Sequence, residues 1–176
     1  TIMEDSYNFE GMRKKPKRKN SKAKGSAFER KVAKILNEHF ETTDFQRSPG
    51  SGAYATTHNL PDHLKIHGDL ITPKNFIYSI ECKKGYNDLD LYSLLNPNSK
   101  IYEFIKQAEK DADQAKKEAI VLMAQDRRDI IALIKEDSHI SNQLNLNKKR
   151  IIHILNNYIL VSFKDVLSID SSLFFN

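Results

Sequence analysis

The stretch His67-Gly68-Asp69-Leu70-Ile71, followed after a short interval by Ser79-Ile80-Glu81-Cys82-Lys83, decides how this sequence is read. Residues 67–72 and 75–83 both have strand character, and Pro73-Lys74 between them suits a hairpin connection. Alternate side chains of a strand share a face, so Glu81 and Lys83 project together while Ile80 and Cys82 turn to the core. Asp69 opens the neighbouring strand, where a hairpin partner brings it close to Glu81. Ile80 and Cys82 mark the second strand as central and half-buried, a place where an unpaired carboxylate is costly.

Two carboxylates converging on one point repel each other unless a cation lies between them. An all-oxygen donor set suits Mg²⁺, with Mn²⁺ as a substitute, because these ions take few protein carboxylates and exchange their waters for phosphate oxygens. Such an ion lowers the pKa of coordinated water and neutralises charge developing on phosphorus. Lys83 alongside would orient or help deprotonate the attacking water, or stabilise the transition-state charge. This is chemistry for hydrolysing a phosphodiester. The plainer readings are Asp69 as a turn residue after Gly68, and Glu81 and Lys83 as exposed charges on an edge strand.

Outward from this centre, Phe28, Val32, Ile35, Leu36 and Phe40 recur at helical spacing and predict a helix over about 26–40, with Ser26 as its N-cap. Phe45-Gln46-Arg47 reads as a short strand and residues 48–52 as a turn-rich loop. Residues 85–98 read as irregular. A second helix is predicted over about 99–117, with Ile101, Phe104, Ile105, Ala108, Ala112 and Ala115 facing inward. Ile120 to Ala124 is apolar throughout, as befits a strand buried on both faces. Further strands are expected at 130–134, 151–155 and 158–163, the last two joined by Asn156-Asn157. Residues 136–149 read as a polar bridge and 164–169 as a short closing helix. This order gives an α/β or α+β architecture, a mixed sheet flanked by helices rather than a doubly wound fold.

The 176 residues suit one domain. No apolar run approaches the ~18 residues of a membrane span. A lone cysteine, Cys82, excludes a disulfide framework or a multi-cysteine zinc site and fits a reducing compartment such as cytoplasm. His58 and His63 lack the nearby ligands a zinc site requires. Residues 11–24 carry Arg13, Lys14, Lys15, Lys17, Arg18, Lys19, Lys22 and Lys24 and no acid, +8 against +5 for the whole chain. The remainder therefore sums to −3, which suggests an acidic body. The division expected is a flexible basic arm over 1–24 and a catalytic domain over 25–176, the arm neutralising phosphates on a nucleic acid.

Asp69, Glu81 and Lys83 resemble the PD-(D/E)XK nuclease signature, with Gly68 in place of the loosely kept proline. Lys24 to Arg30 resembles the first helix of archaeal-type Holliday junction resolvases, and Arg47-Ser48-Pro49-Gly50-Ser51-Gly52 resembles the Arg-Ser-x-x-Ser-Gly segment that follows it there. The resemblance spans roughly residues 24–125. It implies a restriction-endonuclease-like core and a Mg²⁺-dependent DNA endonuclease, acting on branched duplex as a homodimer. Such proteins are common in phages and archaea, so the compartment would be a cytoplasm, the host's if the gene is a phage's. Neither a membrane nor a small-molecule cofactor is implied.

The resemblance also implies the roles. Asp69 and Glu81 would ligate metal together with the Cys82 carbonyl, Glu29 would add an outer ligand, and Lys83 would serve the nucleophile. Arg47, Ser48, Ser51 and Gln107 would contact DNA; the basic arm is extra to the family pattern, and it and Lys84 are expected as phosphate contacts from their charge alone. Several of these have plainer explanations. Ser26 and Glu29 fit a capping box, Arg47, Ser48 and Ser51 can be ordinary loop residues, and Lys84 a solvated neighbour. His67 is as readily structural as DNA-contacting. Tyr86, Tyr92 and Tyr102 read as packing residues. Two alternatives stay open: a restriction-type, nicking or repair nuclease on the same scaffold, and a DNA-binding protein without catalysis.

Overall fold

The computed structural model describes residues 20–49 and 67–176. The arm residues Arg13, Lys14, Lys15, Lys17, Arg18 and Lys19, and Ser51, His58 and His63, lie outside the described residues. The first helix, α1, spans Ser21–His39, and its N-cap is Asn20, whose side chain accepts from the Lys22 N–H. It thus begins five residues before the expected Ser26. Ser26 and Glu29 fall inside the helix, so no capping box forms between them and Glu29 is left for another partner. Phe28, Val32 and Leu36 form the buried stripe.

Two short strands, β1 (Gln46–Arg47) and β2 (Leu70–Ile71), pair antiparallel with each other. The expected hairpin between the Asp69 segment and the Glu81 strand is therefore replaced by a β1–β2 ribbon. The remaining elements are β3 (Tyr78–Lys84), α2 (Leu91–Leu95), α3 (Lys100–Ala115), β4 (Glu118–Ala124), β5 (Ile131–Lys135), α4 (His139–Leu146), β6 (Ile151–Ile154), β7 (Tyr158–Ser162) and α5 (Phe163–Leu167). The segments expected to be irregular thus contain α2 and α4, both too short or too polar to give a clear helical period.

The five-stranded sheet has the order β3-β4-β5-β7-β6. β3 and β4 are parallel, with Glu81 opposite Val121, and α3 provides the crossover such a pair requires. All other pairings are antiparallel. Asn156 and Asn157 take left-handed φ values of 63° and 59° in the β6–β7 turn, a conformation asparagine tolerates well. β3 stands at the end of this sheet, not at its centre. Its residues from Tyr78 to Cys82 are nonetheless buried, because helices cover both faces.

Strand alternation divides the core in two. Tyr78, Ile80, Cys82, Ile120 and Leu122 face α1, α4 and α5 through Val32, Leu36, Ile140, Leu144, Phe163 and Val166. Val121, Met123 and Leu133 face α3 through Ile101, Phe104, Ile105 and Ala108. The alanines let α3 lie close to the strands. The foot of β3 is held by distant sequence: Ile77 N–H donates to the Phe174 carbonyl at 2.9 Å, Asn176 N–H to the Asn75 carbonyl at 2.8 Å, and Phe76 bridges Phe175. Residues 136–176 therefore complete the sheet and foot the strand that carries Glu81.

Leu133, wholly buried between β4, β7 and α3, should lose about 3 kcal/mol of stability on replacement by alanine. Leu146→Ala, at an exposed position, should change it by less than about 0.5 kcal/mol. Urea unfolding of the two variants beside the parent checks both, and equal losses would contradict this core.

Candidate active site

Gly68 and Asp69 are set against β3 by contacts from three directions. The Asp69 N–H donates to the Ile80 carbonyl at 2.9 Å, and Asp69 Oδ2 accepts from the Cys82 N–H at 2.7 Å. Ser48 adds a second anchor, its N–H donating to the Asp69 carbonyl at 3.0 Å and its hydroxyl to the Gly68 carbonyl at 3.2 Å. From α3, the Asp111 carboxylate faces the Gly68 N–H. Gly68 has φ +81°, and a Cβ there would stand 3.0 Å from both the Ile80 carbonyl and Ser79 Oγ. Glycine at this position satisfies both the left-handed turn and the close approach.

Glu81 projects from the opposite side of the strand to Cys82, towards α3, and is only 2% exposed. Lys83 Nζ lies 2.6 Å from Glu81 Oε1 and donates to Gln107 Oε1 at 3.0 Å. The Phe104 ring flanks the same ammonium, 4.9 Å from ring centre to nitrogen. Lys83 is thus held by a carboxylate, an amide and an aromatic face. The sequence-predicted trio of Asp69, Glu81 and Lys83 comes together at the outer edge of β3, and Gln107 joins it from α3.

The electrostatics follow from this crowding. Burial lifts Asp69 to about 6, with Glu29 adding repulsion against the lowering effect of the Cys82 N–H. Burial lifts Glu81 to about 7, with repulsion from Asp69 adding to it and the charge and hydrogen bond of Lys83 opposing it. Burial pulls the Lys83 ammonium down, but Glu81 and Asp69 overcome this and hold it above its ordinary value, so it stays charged. The Cys82 thiol is pushed well up by burial and then by the surrounding carboxylates, so it remains a neutral core group. Any metal role for Cys82 falls to its backbone carbonyl.

Glu29 is buried on α1 and is engaged by Arg47 of β1, Nε to Oε2 at 2.5 Å. Ser48 is buried, its polar atoms already used to position Gly68 and Asp69. Lys84 donates to the Gln125 carbonyl at 2.8 Å and lies 3.8 Å from Asp126. Asp126 is also bound by Lys24, at 3.2 Å, and by the Asn87 amide, at 3.1 Å. Asp111 went unnoticed in the sequence. Its signal was its spacing from Gln107, one helical turn along the same face of α3. It faces His67, Gly68 and Lys83, and burial raises its pKa above the ordinary value.

Chemically, the site offers two carboxylates unwilling to share negative charge, one fixed ammonium, and backbone oxygen nearby. Among the described residues no group of three or more His, Cys, Asp and Glu side chains is placed to hold a metal ion by itself. Two carboxylates and a carbonyl still fit a Mg²⁺-type ion, which keeps most of its waters. No helix among the described residues is long and apolar enough to cross a membrane.

Comparison with curated proteins and with solved structures gives no significant match. The family model described as "Phage putative PDDEXK endonuclease" does match, over residues 20–173, taking in α1, the Asp69 turn, β3 and the C-terminal strands. That span covers most of the chain, and the chain belongs to this family: it is a PD-(D/E)XK endonuclease, a hydrolase of phosphodiester bonds.

Proposed function

We propose that this endonuclease cuts branched DNA, a four-way junction foremost, in a Mg²⁺-dependent reaction and as a homodimer. The observation that carries the catalytic part is the meeting of Asp69, Glu81 and Lys83 at the outer edge of β3. Asp69 and Glu81, with the Cys82 carbonyl, would hold the ion. When bound, the ion supplies Lewis-acid stabilisation of phosphate charge and a lowered pKa for water. Its arrival would also offset the burial, and the lesser repulsion, that raise both carboxylates.

The protein's own groups account for the rest. Lys83, kept charged and aimed by Gln107 and Phe104, orients the attacking water and stabilises charge on the phosphate. The Cys82 and Asp69 N–H groups keep the Asp69 carboxylate in place through the reaction. Glu29, whose charge is felt at Asp69, would add an outer ligand, with Arg47 balancing its charge. Ser48 serves by positioning Asp69; the DNA-contact role considered for it passes to Arg47 and, outside the described residues, to Ser51.

One feature supports the branched substrate. The helix carrying Glu29 and the Arg47-Ser48 segment, on which the resolvase resemblance rests, lie together at the site. Cutting two strands of a junction symmetrically calls for two such sites related by a two-fold axis. Phosphate attraction would come from the basic stretch over 11–24. The acidic body expected above does not hold: Glu4, Asp5 and Glu10 precede that stretch, and residues 25–176 carry equal numbers of acidic and basic side chains. A neutral body adds no repulsion for the arm to overcome.

With Mg²⁺, a four-way junction should be cut faster than a linear duplex or a single strand, and Asp69→Ala should slow cutting by roughly a thousandfold or more. Faster cutting of the linear duplex would contradict the branched reading, and equal inactivity of parent and variant would contradict catalysis.

Metal dependence has a second readout in stability. Both carboxylates have folded pKa values above their ordinary ones, so in chelator the folded state binds the extra protons. Their contribution to stability is therefore lost as pH rises from about 4 to about 7. In EDTA, Glu81→Gln should gain stability relative to the parent across that window, measured by urea unfolding, and added Mg²⁺ should narrow the gap. A pH-independent difference would argue against the coupled pair.

A further inference from the structure

The most exposed large apolar side chains of the described residues include three on the five-residue helix α2: Leu91 at 75%, Tyr92 at 82% and Leu95 at 77%. Tyr92, expected to pack, does the opposite. Such a helix is too short to stand alone in water, and it buries none of its own residues deeply. Contacts from behind hold it in place. Asp90 and Ser93 cap it reciprocally. The Tyr102 hydroxyl donates to the Leu94 carbonyl at 2.5 Å, and the Gln125 amide donates to the Tyr86 and Leu89 carbonyls at 3.2 and 2.7 Å. Tyr86, Leu89 and Leu94 pack into the α3 side of the core. A segment fixed this firmly while presenting apolar side chains to water has the character of a binding surface.

The occupant follows from where α2 is rooted and what surrounds it. It follows β3 closely, and the Tyr86 ring meets Phe104 edge-on at 4.8 Å between ring centres. Phe104 is the ring that flanks Lys83, so the base of α2 and the catalytic ammonium share one aromatic neighbour. The neighbouring surface carries both signs: Lys24 and Lys84 are gathered at Asp126, with Arg127 and Arg128 next in sequence, Lys100 lies over the Tyr86 ring at 5.6 Å, and Asp88 and Asp90 precede the helix. Cations flanking apolar and aromatic side chains match nucleic acid: phosphates for the first, base faces for the second. Three side chains are few for a stable dimer, which engages roughly 20–30 residues a side.

We propose that α2 is a wedge for unstacked bases, with Tyr92 stacking on a base face exposed at a branch point and Leu91 and Leu95 pressing against its neighbours. This deepens the branched-substrate reading and rests on it. A continuous duplex offers no free base face, so α2 contributes to binding only where stacking is already interrupted.

The test uses the full chain carrying Asp69→Asn, so binding is read without cleavage. The probes are a four-way junction and a linear duplex of the same sequence. Adding Tyr92→Ala should weaken junction binding about tenfold and leave duplex binding and the melting temperature unchanged. Junction DNA with 5-iodouracil at the branch should photo-crosslink to the peptide containing Tyr92. Equal effects on both DNAs, or crosslinking elsewhere, overturns the proposal. So does a Tyr92→Ala chain that binds junctions normally but changes from dimer to monomer in sedimentation, which would assign α2 to a second copy. Failure of the branched reading itself appears separately, as preferential cleavage of linear duplex by the native chain.

Discussion

The two hydrogen bonds by which Asp69 grips the backbone of β3 organise everything around them. A carboxylate accepting a buried N–H is held by a charge-assisted bond, roughly twice as strong as a neutral one. Here that N–H belongs to Cys82, the residue between Glu81 and Lys83, so Asp69 is registered against the catalytic strand to within a hydrogen-bond length. The Ile80 carbonyl fixes the other side. Gly68 is required because any Cβ would meet that strand, and Ser48 restrains the turn through its hydroxyl and its N–H. Moving any one of these groups displaces a carboxylate that has little freedom elsewhere.

This grip also explains how the site can draw on both layers of the fold. Glu81 and Lys83 face α3, whereas Glu29 comes from α1 on the other side of the sheet. The two layers meet at one edge because β3 is the last strand and Asp69 caps that edge. A central β3 would have placed a neighbouring strand where Asp69 stands. The parallel β3–β4 pair reinforces this, since its crossover helix returns Phe104, Gln107 and Asp111 over the same edge.

Much of this was legible in the sequence, and what was not has physical causes. Alternation along Ile80-Glu81-Cys82-Lys83 disclosed the face that carries the charges, since period two is a local property. The mixed sheet with flanking helices followed from the order of apolar segments. The partner of the Asp69 strand did not, because pairing with β1 depends on Asn37 holding Phe45 by both amide atoms, a contact between helix and loop. The start of α1 was misplaced because Ser26 fits a cap as well as Asn20 does. Asp111 was hidden by being distant in sequence and charged on a helix, where such residues are ordinary. Tyr92 was misread because a lone aromatic gives no sign of which way it faces.

The footing of β3 on residues 174–176 has a consequence in time. Chains fold as they leave the ribosome, N-terminal parts first. Glu81 and Lys83 emerge early, yet the base of their strand rests on Phe174, Phe175 and Asn176, and its sheet on β7 and β6, all of which come much later. Interrupted translation would therefore release fragments that carry Asp69, Glu81 and Lys83 without the scaffold that brings them together. For a protein able to cut DNA, the fold itself delays the hazard until synthesis has passed beyond the sheet.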